Sequence, residues 1–520
     1  MKMRVGIEVF DSADHYIGFW KPSMQRKIRQ LENRRFDLAV IGGGILGAGI
    51  ARDAALRGLS VALIEQQDYG SGTSSRSTKL VHGGLRYLEQ WAFSLVAESC
   101  RERGILLDMA PHLVKLLPFL LPVYDGDPRS LTKIRLGTTL YKWLSRKRTR
   151  KLAGHRTLSP QETLEVETAL NPDGLRGAVQ FFDCQMNDAR LCLETVLDAE
   201  KHGAVCCNYT QITGMKMKGP AVDSLEWVDR ISGDQGKVEA KFVINACGPW
   251  VEQMIRQVGF DQSAITLSPT KGVHLVIPKI NRENGIYFQS RLDRRMIFLL
   301  PWGNASLLGT TDTDYSGDPG AVYADAKDVH YLLQQLATMA PQFSLNADDV
   351  IASFAGVRAL VRSGGRPSSR SREERLVLQA DNLLTVAGGK FTTFRAIAEQ
   401  AVNRAMKEMG AARTPCRTSE TPLEDGRPSP QGQAFSSDDP PVGSRGVFAS
   451  DVLHACRHEQ VVTLADVMRR RTTLALGGNS GDEVITQVSH LVAQELSWSD
   501  GQRAEQVDAY QTQRKLNQPW

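Results

Sequence analysis

The sequence predicts an α/β chain with an all-α C-terminal domain: a discontinuous Rossmann-like domain, a second domain built on an antiparallel sheet, and helices at the end. Three observations lead there. An apolar strand, a glycine-rich turn, a helical run and a second apolar strand follow one another from Phe36 to Glu65. Two further apolar segments, each followed by glycine and then helical sequence, recur far away at Lys241 to Ala246 and Leu383 to Ala387. Between them lie β-branched and apolar runs bounded by turn residues, and after a proline-rich stretch the pattern turns helical.

Taken in order, residues 1–35 read as a polar leader ending in a short basic helix from Met24 to Arg35. Phe36 to Ile41 is a strand, Ala48 to Arg57 a helix and Leu59 to Glu65 a strand, which together make a right-handed βαβ unit. A helical insertion is expected over about 95–150. Gly272 to Pro278, Met296 to Pro301 and Ser306 to Gly309 suit an antiparallel sheet. Arg413 to Arg445 carries six prolines (Pro415, Pro422, Pro428, Pro430, Pro440 and Pro441) and reads as a linker. Beyond it the pattern is helical, with capping candidates at Thr463 and Ser499. The Rossmann-like domain is therefore assigned to 36–110, 185–260 and 350–409, and the second domain to 111–184 and 261–349. A linker takes 410–447 and the helical domain 448–520.

Composition narrows the classes. A chain of 520 residues exceeds what one core supports, so two or three units sharing interfaces are expected. At 42% hydrophobic and 23% charged, it is neither largely disordered nor fibrous. The net charge of +5 is small, but 129–151 contains no acid while holding Lys133, Arg135, Lys142, Arg146, Lys147, Arg148, Arg150 and Lys151. Eight cysteines without a C-x-x-C pair read as reduced thiols in a cytosolic compartment, and no metal site is expected. No segment offers the roughly 18 uninterrupted apolar residues that crossing a bilayer requires.

Gly42-Gly-Gly44-Ile-Leu-Gly47 falls between the first strand and the helix, where glycines let backbone amides approach a diphosphate at a helix N-terminus. Glu65 closes the second strand about twenty residues on, and its carboxylate accepts from a ribose hydroxyl while repelling a 2′-phosphate. The pair points to a dinucleotide, FAD or NAD in preference to NADP. The polar run Ser71 to Leu80, followed by His82-Gly-Gly-Leu-Arg-Tyr87, is able to wrap an extended cofactor, which favours FAD. Gly388 and Gly389 repeat the strand–glycine–helix arrangement, and a helix beginning near Thr392 would aim its positive end at a flavin pyrimidine.

Eight segments stand in a telling order: FDLAVIGGGILGAGIARDAALRGLSVALIE, SGTSSRSTKLVHGGLRYLE, FFDCQMNDARL, VINACGPWV, TKGVHLVIP, LLGTTDTDY, FAGVRAL and VAGGKFTTFRAIAEQA. Through them the chain resembles the FAD-dependent glycerol-3-phosphate dehydrogenases of the D-amino-acid-oxidase-like superfamily, from about residue 26 to 405. TLADVMRRRTTLAL resembles that family's C-terminal cap domain. The resemblance implies FAD, with Gly42, Gly44, Gly47 and Glu65 at its phosphates and ribose. Ser74, Ser75, Thr78, Lys79 and His82 would run past the flavin, and Gly248, Gly388, Gly389 and Thr392 complete the cofactor site. It also implies sn-glycerol 3-phosphate as substrate, held by Arg86, Tyr87, Arg358, Arg372 and Lys390, because guanidinium forks suit a dianionic phosphate. His274 is the candidate base for the C2 hydroxyl proton while hydride moves from C2 to flavin N5. Arg358 and Lys390 are catalytic candidates as well, stabilising the developing alkoxide. Ala359 stands where the family usually has proline, and Arg362, Arg366 and Arg370 make the loop cationic, so a different phosphorylated polyol stays open as substrate.

Relatives of this kind are peripheral membrane enzymes that pass electrons to quinone. The resemblance thus implies a quinone acceptor, an anionic membrane surface as partner, and a cytoplasmic location on the inner face of a membrane. The expected contact is 129–151, whose cations are interleaved with Leu131, Ile134, Leu136, Leu140, Tyr141, Trp143 and Leu144. No nucleic-acid motif accompanies the charge, and a homodimer is left open. Two other readings also stay open: a flavin oxidase using dioxygen on a phosphorylated polyol or an amine, and an FAD-binding protein without turnover.

Overall fold

The apolar run ending at Ile41 forms the strand Arg35–Ile41, buried along nearly its whole length. Its parallel neighbours are Gln235–Asn245 on one side and Val61–Ile64 on the other. Leu383–Ala387 and Val205–Cys207 extend the parallel array outward, and an Arg375–Ala380 strand closes one edge in the antiparallel sense. This computed structural model describes residues 26–145, 154–260, 265–362, 374–424, 439–443, 446–477 and 481–518.

Parallel strands covered on both faces read as unbroken apolar sequence, which is why these segments stood out. Ile45–Leu56, Asp188–Lys201 and Phe394–Glu408 are helices on one face, where Ile50, Leu191 and Ile397 pack against Val40, Leu63, Ile244 and Val386. The opposite side chains, Ala39, Ile64 and Val243 among them, pack with Leu31, Leu225 and Trp227.

The second sheet runs through Thr313–Asp314, Thr270–Pro278, Ala305–Gly309, Met296–Trp302, Gly285–Gln289, Val114–Tyr124, Leu175–Met186 and Leu80–Val81. It is antiparallel as expected except at one junction, where Gly285–Gln289 lies parallel to Val114–Tyr124.

Several expectations are corrected. The insertion over 95–150 is not wholly helical: helices Phe93–Met109 and Leu131–Ser145 flank the strand Val114–Tyr124. Pro118 and Pro122 lie within that strand, and neither suits a helix interior. The basic helix reduces, among the described residues, to the 3-10 turn Ile28–Leu31, and Arg35 already belongs to the first strand. Ala352–Arg358, assigned to the Rossmann-like domain, pairs with Thr270–Pro278 in the second sheet. Leu80–Val81, likewise assigned there, pairs with Leu175–Met186 in that same sheet. Part of the linker is anchored, because the buried Arg52 needs acceptors and takes the carbonyl of Thr421 (2.7 Å), while Leu423 N–H donates to Met109 O (2.8 Å).

Helices Ala449–His458, Asp482–Leu496 and Asp500–Leu516 form the C-terminal unit, and Thr463 and Ser499 cap as their pattern indicates. A π-helical turn, Val467–Arg471, docks this unit beside the parallel sheet. There Arg470 and Arg471 both pair with the fully buried Asp68, Tyr69 donates to Gln460 Oε1 (3.1 Å), and Arg190 meets Glu459 (2.6 Å).

Burial alone would push the Asp68 carboxyl up, but Arg471 and Arg470 overcome it and hold it down at about 2. Asp68→Asn therefore leaves the buried Arg471 guanidinium without a carboxylate and Arg470 with Asp466 alone, and should cost about 3–5 kcal/mol in denaturant unfolding near neutral pH. With an unfolded value of about 3.9, this contribution is complete above about pH 4 and is lost as pH falls toward 2. Equal stability of variant and wild type at pH 7 would show the pairs to be idle.

Candidate functional site

The loop after Ile41 turns sharply because Gly42 takes φ +105°, and the helix that follows starts against it so closely that a Cβ on Gly47 would lie 1.8 Å from the Gly42 carbonyl oxygen. Only glycine fits at Gly47. Glu65, at the end of the neighbouring strand, accepts from Gly43 N–H (2.6 Å) and Gln67 N–H (2.8 Å). Ser74 Oγ accepts from Ile45 N–H at the helix N-terminus (2.9 Å). Burial raises the Glu65 carboxyl, and the two amides only partly oppose it.

A cavity of about 320 Å³ opens beside this turn and runs to the junction of the two sheets. Of the residues singled out from sequence, it is lined by Gly42, Gly44, Glu65, Ser74, Thr78, His82, Gly248, His274, Arg358, Gly388, Gly389, Lys390 and Thr392. Thr392 lies next to His82, whose N–H donates to its hydroxyl (3.3 Å). The wall thus has an acidic end, a glycine turn and a far end of glycine, lysine and histidine, and it is the cradle an extended dinucleotide such as FAD requires.

Other candidates stand off the wall. Gly47 works beneath the turn. Lys79 is turned away and buried: its ammonium donates to Asp188 Oδ1 (2.5 Å) and Ser75 O (2.6 Å), so both Lys79 and Ser75 shape the segment from behind it. Arg86 and Tyr87 form a second layer, with the Arg86 guanidinium 5.1 Å and the Lys390 ammonium 4.2 Å from the centre of the Tyr87 ring. Both lie within the range of a cation–π contact. Arg372 falls outside the described residues.

Arg358 is held in a fork, donating to Asp312 Oδ1 (2.8 Å) and Thr310 Oγ1 (3.0 Å). His274 is buried against Phe354, its Nε2 3.0 Å from Thr78 Oγ1. Burial first, and then the charges of Arg358 and Lys79, push its imidazole well below the ordinary 6.5.

Sequence reasoning missed Arg76, Trp250 and Asp312. Arg76 and Trp250 line the cavity, and burial together with Arg469 and Arg470 lowers the Arg76 guanidinium to about 10. The signal for Asp312 lay in LLGTTDTDY, where an acid next to two threonines offers a partner for a cation, but nothing there names Arg358.

Comparisons with known proteins agree with this architecture. A model described as FAD dependent oxidoreductase (DAO) matches residues 37–404, and one described as the C-terminal domain of alpha-glycerophosphate oxidase matches 423–503. A glycerol-3-phosphate dehydrogenase of Synechocystis sp. is 33% identical over 95% of this chain and 98% of its own length. An aerobic glycerol-3-phosphate dehydrogenase of Staphylococcus haemolyticus is 38% identical over 76% of this chain and 72% of its own. Among solved structures, glycerol-3-phosphate dehydrogenase from Bacillus halodurans complexed with FAD superposes with a TM-score of 0.74 at 27% identity, covering 95% of this chain and 98% of that one.

Gly47→Ala drives a methyl group into the turn, so the purified variant should carry no visible flavin absorbance. A yellow variant with wild-type flavin content would refute that account of the turn.

Proposed function

The chain belongs to the DAO family of FAD-dependent oxidoreductases, and from that premise we propose that it oxidises sn-glycerol 3-phosphate to dihydroxyacetone phosphate and passes the electrons to quinone. The observation that carries the substrate reading is the cationic end of the cavity, where Arg358 and Lys390 line the wall with Arg86 behind Tyr87. A dianionic phosphoryl group is the ligand that such a set recognises, since forked guanidinium donors meet it with charge-assisted hydrogen bonds. An amine substrate would gain nothing from it.

When bound, FAD supplies a two-electron acceptor for hydride leaving C2 of the alcohol. The residues of the chain divide the remaining work. Gly42, Gly44 and Ser74 would hold the diphosphate, Glu65 the ribose, and Gly248, Gly388, Gly389 and Thr392 the remainder of the cofactor wall. Arg358 and Lys390 would grip the phosphoryl tail while Arg86 adds positive charge from behind Tyr87, and in doing so Arg358 exchanges part of its contact with Asp312 for the ligand. Lys390 and Arg358 also stabilise negative charge as it develops on the C2 oxygen.

A specific observation favours a second acceptor. The C-terminal segment matches a domain named for an oxidase, which supports dioxygen in place of quinone. Anaerobic bleaching of the bound flavin by sn-glycerol 3-phosphate tests the substrate, and a colour that persists would end that reading. Reoxidation of the bleached enzyme by a quinone analogue should outrun reoxidation by air, and the reverse order would assign the oxidase.

The helix Leu131–Ser145 supports attachment to an anionic membrane. It buries Thr138, Tyr141 and Ser145 but leaves Leu136 67% and Trp143 62% exposed, with Lys133, Arg135 and Lys142 on the same open side. Trp91 stands out of the surface as well. The rest of the basic stretch, from Arg146 to Lys151, lies outside the described residues. Among the described residues no helix is long and apolar enough to cross a membrane.

Arg358→Ala should raise KM for sn-glycerol 3-phosphate about 10- to 100-fold, the equivalent of ~1.5–3 kcal/mol for a hydrogen bond to a charged group, while flavin content holds. An unchanged KM moves the phosphate elsewhere. Reversing Arg135 and Lys142 to glutamate should weaken co-sedimentation with anionic vesicles at least about tenfold, given about 1 kcal/mol per cation at such a surface. Unaltered sedimentation removes the membrane assignment.

A further inference from the structure

The proton leaving the C2 hydroxyl must first reach a group that the substrate can touch, and His274, although it lies on the cavity wall, offers little surface for that. Its ring is 2% exposed and stacked on Phe354 at 4.9 Å. Nδ1 is buried with no hydrogen-bond partner among the described residues. Nε2 is capped by Thr78 Oγ1 at 3.0 Å. Thr78 itself is only half-buried and lines the same cavity. The neighbours of Thr78 fix it in place, since Ser77 donates to Asp188 through its N–H (3.0 Å) and hydroxyl (2.7 Å), and Lys79 donates through its ammonium (2.5 Å). The one nitrogen of His274 with a polar neighbour therefore meets the cavity through a hydroxyl, and a hydroxyl can accept a proton on one side while donating on the other.

We propose that Thr78 is a catalytic residue, a relay that carries the substrate's hydroxyl proton to His274 Nε2. The proposal rests on the reading of the substrate as a phosphorylated secondary alcohol. In the step, the O–H bond at C2 breaks as its proton passes to Thr78 Oγ1, and the proton already on Thr78 passes to Nε2. The C2–H bond breaks with its electron pair, which leaves as hydride to the bound FAD, and the electron pair freed on oxygen closes the C=O bond. The alcohol loses two electrons, the flavin gains them, and one proton rests on the imidazole.

Two consequences follow from the relay. It requires Nε2 to be bare in the resting enzyme, with the ring proton on Nδ1. The substrate also prepares its own acceptor: a dianionic phosphoryl group set against Arg358 offsets one of the charges that, after burial, hold His274 in its neutral form.

Thr78→Val removes the hydroxyl at similar shape, and Thr78→Ser restores it. On FAD-reconstituted protein, anaerobic bleaching by sn-glycerol 3-phosphate at neutral pH should slow about 100-fold in the valine variant, the scale of a lost proton-transfer catalyst, with KM within about threefold. Serine should recover the rate to within about tenfold of wild type. A valine variant within about threefold of wild type, or a serine variant no faster than valine, overturns the relay. Nitrogen-15 NMR of the histidine-labelled holoenzyme gives a readout free of turnover: a proton on Nδ1 of His274 supports the relay, and a proton on Nε2 overturns it, because Thr78 would then be an acceptor with no route to the ring. If sn-glycerol 3-phosphate leaves wild-type flavin coloured, the substrate reading falls and the relay with it, whereas wild-type bleaching together with a proton on Nε2 overturns the relay alone.

Discussion

Asp188 is wholly buried, and a carboxylate taken out of water persists only where donors surround it. Here they are the Lys79 ammonium, the Ser77 amide and hydroxyl, and the amide of Ala189 in its own helix. The first two partners are almost consecutive, so satisfying one acid fixes the backbone across the inner edge of the cavity. Lys79 accepts a left-handed φ of +60° as part of that arrangement, and its carbonyl receives Met186 N–H (2.9 Å). The chain then enters the second sheet at Leu80 and Val81, opposite Gln185 and Cys184. The placement of Thr78 beside His274, and of His82 beside Thr392, follows from that crossing.

Cations that line the cavity or lie behind it differ in their partners. Lys79, Arg103, Arg395, Arg470 and Arg471 are matched to buried acids, and these pairs fix positions more than they add stability. Arg358, Arg86 and Lys390 are different. Arg358 also pairs with a buried acid, Asp312, but its own side chain is 19% exposed and lines the cavity, while Arg86 and Lys390 lie over the Tyr87 ring. A ring contact is weaker than a buried ion pair, so an incoming anion displaces less in reaching Lys390 than in reaching a cation already paired to an acid.

What could be read from the sequence follows the range of the interactions. The parallel strands were legible because burial on both faces leaves an unbroken apolar run, and the glycine turn and Glu65 were legible because their spacing is local. Val114–Tyr124 was not, since its apolar run lies between two helical patterns and its partner strand is far downstream. Lys79 misled for a similar reason: in a run of small polar residues it reads as facing a ligand, yet the acid that claims it lies 109 positions away. The Thr78–His274 contact spans 196 positions, and no periodicity announces it. Arg86, Tyr87 and Lys390 could be grouped only through family motifs, and their stacking order appears only in three dimensions.

The loop bearing Asp68 is bonded in two directions. Gly70 N–H reaches the Gly43 carbonyl (3.0 Å) in the glycine turn, and Asp68 and Tyr69 reach Arg470, Arg471 and Gln460 in the C-terminal unit. Shared bonds of this kind tie the position of the C-terminal unit to that of the glycine turn. A helical unit grafted from another protein would have to bring adjacent guanidinium groups for Asp68 and an amide for Tyr69, or leave a buried carboxylate and phenol without their partners.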